Sequence, residues 1–264
     1  MENNIVNALM LTLFAGLSTC IGSFIAFFTK HTNTKILSLS LGLSAGVMIY
    51  VSFVELFVQS QQIFTNTHGF KLGMLFANAC FFIGMFFIGI IDRLVPSGEN
   101  PHEIKTVEDL ENKNNNLMHL GIISVIAIGI HNFPEGIATF IAAYESPSLG
   151  IAIAAAIAIH NIPEGIAVSV PVYQATGNKR KAFIYSLVSG LAEPIGALIA
   201  FLILKPFISQ ELLAGIFAFV AGIMIFISLD ELLPAARKYG EHHLSIYGLL
   251  IGMAVMAASI TLLG

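Results

Sequence analysis

The chain has 264 residues, of which 56% are hydrophobic and 11% charged, with a mean hydropathy of +0.84. A soluble domain carries about 25% charged residues, so twelve Lys and Arg with sixteen Asp and Glu cannot cover a water-facing surface. This excludes an ordinary cytosolic enzyme and a disordered chain, and the net charge of -4 excludes the basic footprint of a nucleic-acid binder. A polytopic, all-α membrane protein remains.

A helix needs about 20 apolar residues to cross the hydrocarbon core. In chain order, runs that qualify are 5–28, 36–59, 70–94, 118–144, 149–173, 182–205, 211–234 and 244–263, which predicts eight transmembrane helices. The start, MENNIVNALM, lacks the positive stretch of a cleavable signal, so the first run is read as a retained span. Cys20 and Cys80 lie inside apolar runs and read as packing thiols rather than a disulfide or a zinc site. The Phe-rich third span (Phe76, Phe81, Phe82, Phe86, Phe87) reads as lipid-facing or packing surface. Only 95–117 is long and polar. It reads as a solvated loop within a single transmembrane domain over 1–264.

Orientation follows from Lys and Arg placement. Ten of the twelve fall in, or at the edge of, the linkers after spans one, three, five and seven: Lys30, Lys35, Arg93, Lys105, Lys113, Lys179, Arg180, Lys181, Arg237 and Lys238. Those linkers, including 95–117, are expected on the cytoplasmic side and both termini outside.

The first half recurs in the second. Residues 15–27 (AGLSTCIGSFIAF) parallel 189–201 (SGLAEPIGALIAF), and 45–56 (AGVMIYVSFVEL) parallel 221–232 (AGIMIFISLDEL). The offset of five spans reverses the direction of insertion. An inverted repeat of helices 1–3 and 6–8 around a central helix 4/5 pair is therefore expected, an arrangement that puts a transporter's site near the midplane. In the central pair, HNFPEGIA at 131–138 recurs as HNIPEGIA at 160–167 with one difference.

Within each copy, His and Glu are four residues apart and Asn and Glu three, so all three share a helix face. Both copies fall near mid-span, where an ionisable residue costs about 2.5–3.5 kcal/mol on insertion scales. A bound divalent cation removes that cost and the repulsion between the glutamates, with neutral imidazoles completing the shell. Glu193 adds a third carboxylate at similar depth, which fits one metal or two bridged by Glu135 and Glu164. Pro134 and Pro163 each lack an N–H, so their helices are expected to kink or break beside the motif. The alternative is a buried polar cluster that only holds helices together.

Further acids are open to two readings. Glu55 near the end of span two, and Asp230 and Glu231 near the end of span seven, are candidate entrance and exit groups or solvated helix-end acids. Ser52 and Ser228 are pore-lining candidates or are bonded to their own backbone. Glu241, His242 and His243 form a metal-catching group or a solvated turn.

These residues resemble the ZIP family of zinc and iron permeases across all eight spans, with HNFPEG at 131–136 and HNIPEG at 160–165 matching its signature in the fourth and fifth helices. The resemblance implies that His131, Asn132, Glu135, His160, Asn161, Glu164 and Glu193 are metal ligands, and that two metals are held together. Some members carry Gln or Asp at the positions of His160 or Asn161. It further implies a homodimer in the plasma (inner) membrane, and helices 1, 4, 5 and 6 moving against 2, 3, 7 and 8. The expected activity is uptake of divalent cations into the cytoplasm: zinc first, then iron, manganese, cobalt and cadmium, with no prosthetic group. Nitrogen and oxygen ligands suit those ions better than copper(I). Protons compete for the same ligands, so transport is expected to weaken in acid. An intramembrane hydrolase is the weaker reading, since HExxH is absent and each His-x-x-x-Glu contains Pro. A sensor that binds metal without moving it is a third.

Overall fold

A computed structural model describes residues 2–27, 34–94, 117–204, 209–239 and 242–263, and every element in them is helical. In chain order these are α1 (Glu2–Ala26), α2 (Thr34–Val51), α3 (Phe57–His68), α4 (Phe70–Leu94), α5 (Leu117–Glu145), α6 (Pro147–Thr176), α7 (Lys179–Gly190), α8 (Ala192–Ile199), α9 (Gln210–Ile227), α10 (Leu233–Tyr239) and α11 (His242–Leu263). Turns of π-helix, Ser52–Leu56 and Ser228–Leu232, weld α2 to α3 and α9 to α10, and a further one, Ala200–Leu204, extends α8.

Among the described residues, seven helical stretches are long and apolar enough to cross a bilayer: Asn4–Phe24, Ser38–His68, Phe70–Arg93, Pro147–Ile166, Lys179–Ile203, Gln210–Asp230 and His243–Leu262. Between the third and fourth of these runs α5, itself 29 residues long. The molecule is thus an all-α polytopic membrane protein. The polar loop expected at 95–117 lies outside the described residues, except for Leu117 at the start of α5.

Caps mark the tight corners. Gly69 ends α3 at φ 76°, a left-handed value that costs glycine nothing. Ser146 caps α6 by accepting from the Leu149 N–H, with Pro147 in the first turn, where a missing N–H does no harm.

Small residues decide which helices touch, because lipid offers no hydrophobic drive for helices to associate. A Cβ at Gly16 would overlap the Gly190 carbonyl, one at Gly165 the Thr19 carbonyl, and one at Gly136 the Glu193 carbonyl. These contacts lock α1, α5, α6 and α7–α8 into one group. Gly42 and Gly46 lie against Ser245 and Leu249, Gly248 and Gly252 against Leu39 and Leu43, and Gly84 and Gly222 against Phe219 and Phe81. They lock α2 to α11 and α4 to α9, and Gly73 against the Thr65 backbone joins α3 to α4, so that α2–α3, α4, α9–α10 and α11 form a second. Among the described residues, no glycine of one group abuts the backbone of the other. The groups meet where α2 and α11 cross α6 and α9 crosses α5.

One span boundary needs correction. Span two does not stop at 59; the apolar helix continues to His68, through a π turn at Ser52–Leu56 that does not end it. Of the kink or break expected at Pro134 and Pro163 the break is absent, since close neighbours hold both sides of each proline turn in place. The break falls instead in the sixth span, at Leu191 between α7 and α8. Pro194 denies the Gly190 carbonyl its helical donor there.

Candidate metal centre

The two antiparallel motif helices, α5 and α6, present their polar residues to one another. Asn132, His160, Asn161 and Glu193 are fully buried, Glu135 is 1% exposed and Glu164 3%. The pairing is reciprocal. His160 Nε2 lies 3.1 Å from Glu135 Oε2, joining the second copy's imidazole to the first copy's carboxylate. In one orientation of its amide, Asn132 Nδ2 donates to Glu164 Oε2 at 3.2 Å and to the Ile128 carbonyl at 3.1 Å; in the other it lies 3.5 Å from the Ser189 carbonyl.

The break at Leu191 places Glu193 in the first turn of α8, close against α5 through Gly136. Asn161 Nδ2 donates to Glu193 Oε1 and, at 2.9 Å, to the Ala15 carbonyl of α1. One amide thus ties three helices together. Glu135 Oε1 and Asn161 Oδ1 are buried with no hydrogen-bond partner among the described residues. An oxygen left this way costs about 1–3 kcal/mol, and both belong to the residues expected to hold metal.

The side chain of His131 lies outside the described residues, as do those of Glu231 and His242, and the whole of Glu241. Among the described residues no three His, Cys, Asp or Glu side chains gather closely enough to hold an ion by themselves. The donors come instead as pairs across the helices, with an asparagine opposite a glutamate in two of the three. Ser52 is buried at the head of its π turn, and Ser228 heads its own, donating to the Met224 carbonyl at 2.7 Å. Glu55 is half-buried and accepts from Gln59 Nε2 at 2.6 Å. With Glu145, Ser146 and Gln210 it lines a cavity of about 440 Å³ between the two helix groups. Asp230 is exposed, and His243 stacks on Tyr247 with ring centroids 6.3 Å apart.

Sequence reasoning missed the Ala15 and Ser189 carbonyls and the share of Glu145 in the cavity beside Glu55. A backbone carbonyl carries no residue-type signal. Here the only hint was that Ala15-Gly16 and Ser189-Gly190 are equivalent in the repeat.

Carboxylates, imidazole and amides thus meet across two buried helices of an all-helical membrane protein. The profile described as ZIP zinc transporter matches residues 94–259. The zinc transporter ZupT of Lysinibacillus sphaericus is 60% identical, with all of both chains covered. That of Streptococcus mutans is 58% identical over 99% of each chain, and that of Clostridium perfringens 53% over 98% of this chain and 97% of its own. The chain belongs to the ZIP family of zinc transporters.

Proposed function

We propose that this protein carries zinc, and with it iron, manganese, cobalt and cadmium, across the inner membrane into the cytoplasm. The carrying observation is the buried pairing of Glu135 with His160, with Glu164 set against Asn132 across the same two helices. Glutamates held this way are stable when a dication arrives and replaces the hydrogen bonds between them. His131, Asn132, Glu135, His160, Asn161, Glu164 and Glu193 are the ligands in this reading, with Glu135 and Glu164 able to bridge two ions. Nitrogen and oxygen donors without thiolate favour zinc and its neighbours.

Entry runs through the cavity beside Glu55 and exit past Asp230 and Glu231. Eight crossings, α5 completing the set, place both termini outside and the loops after the odd spans, 95–117 included, in the cytoplasm, within a single transmembrane domain. The inverted repeat is supported by the matching π turns at Ser52–Leu56 and Ser228–Leu232, equivalent positions in the two halves. The two glycine-locked groups are the bodies that move past one another, and a homodimer is the expected assembly.

Radiolabelled zinc flux into proteoliposomes tests the reading. The Glu135→Ala, Glu164→Ala double variant is expected to abolish flux while remaining folded; an unchanged rate sinks the proposal. Binding without flux in the unmodified protein supports a sensor instead.

A further inference from the structure

A crevice of about 790 Å³ lies between α5 and α7–α8 of the first helix group and α4 and α9 of the second. Every residue that lines it is apolar, among them Phe87, Ile126, Gly129, Val188 and Ile216. Such a cavity offers water no partners. Its mouth is open: Phe87 is 45% exposed, Ile126 56% and Val188 54%. These side chains continue the exposed apolar belt of Phe82, Phe86 and Ile90 on α4 and of Ile195 and Leu198 on α8. The walls are membrane-length helices, so the mouth faces hydrocarbon.

Gly129 sets the depth of the crevice. A Cβ there would meet only the Ala192 Cβ, at 3.9 Å, whereas one at Gly136, two turns along the same helix, would overlap the Glu193 backbone. Gly129 is therefore not needed for close helix approach, and its missing side chain leaves volume unfilled. We infer that this volume seats an acyl chain of a membrane phospholipid, wedged between the two helix groups. Phe133 and Pro134 line the crevice, while Asn132 and Glu135 on either side of them in sequence reach α6. The seated chain thus rests against the back of the motif turn and holds α5 at one position relative to α4 and α9.

The protein contains no tryptophan, so one introduced residue reports alone. Three single-tryptophan variants are compared in vesicles of dioleoylphosphatidylcholine and of its bromine-substituted counterpart: Ile216→Trp in the crevice, Phe86→Trp on the open lipid face and Phe140→Trp in the core. Bromine is expected to quench Ile216→Trp nearly as strongly as Phe86→Trp, with Phe140→Trp protected. Adding Gly129→Phe, or Gly129→Ile should the larger side chain prevent folding, is expected to abolish quenching at Ile216→Trp and leave Phe86→Trp unchanged. Quenching that survives the filled crevice overturns the seat. Protection of Ile216→Trp from bromine in the unfilled protein also overturns it. If protection is accompanied by disulfide capture between copies carrying Ile126→Cys, a second copy of the chain occupies the crevice.

Discussion

Replacing Gly165 by alanine isolates the physics that builds the centre. The added Cβ would overlap the Thr19 carbonyl, and α1 offers only backbone there. Ordinary contact needs about 3.5–4 Å, so α1 and α6 must part by roughly 1 Å or more. Overpacking of this kind costs about 1–3 kcal/mol, against which alanine returns up to about 1 kcal/mol of helix propensity. The net loss of up to about 2 kcal/mol lowers the melting temperature by several degrees, at about 2–4 °C per kcal/mol for a chain of this size. The same displacement stretches the 2.9 Å bond from Asn161 to the Ala15 carbonyl past the about 3.2 Å limit for such bonds, so zinc flux falls as well. Gly129→Ala is the control, since its Cβ has room and gains only propensity. Thermal unfolding in detergent, followed by far-ultraviolet circular dichroism, compares the two. If Gly165→Ala melted at the same temperature as Gly129→Ala, the view that glycine sets the α1–α6 approach would be refuted.

Asn161→Ala removes the amide that ties α1, α6 and α8. The buried acceptors it leaves cost about 1–3 kcal/mol, so both the melting temperature and zinc affinity are expected to fall; titration calorimetry that finds zinc binding unaltered contradicts the assigned role. Zinc itself is expected to raise the melting temperature of the unmodified protein. Mass action gives about 2.7 kcal/mol at a hundredfold excess over Kd, the shift should vanish on chelation, and the Glu135→Ala, Glu164→Ala variant should show none.

Much of this protein is legible without coordinates. The scarcity of charge fixed a helical membrane protein, since lipid tolerates only backbone that bonds to itself. The duplicated motif marked His160, Glu135 and Glu164 because ionisable groups at mid-span are too costly to be incidental. Hydropathy could not place the end of span two, because a π turn leaves no compositional trace. Nor could the proline rule tell Pro134 and Pro163, which their helices absorb, from Pro194, which divides α7 from α8.

Residue types and their spacing alone singled out the polar side chains that lie buried between the helices, because burying charge is expensive wherever it occurs. Tertiary structure alone decided how they are joined: Glu135 to His160, Asn161 to Glu193 and the Ala15 carbonyl, and, in one orientation of the Asn132 amide, Glu164 to Asn132. It also decided which glycines are interlocked and which, like Gly129, leave a space. Those outcomes depend on distances between helices far apart in sequence, and where glycines interlock the partner is backbone, most often a carbonyl, identical in every residue.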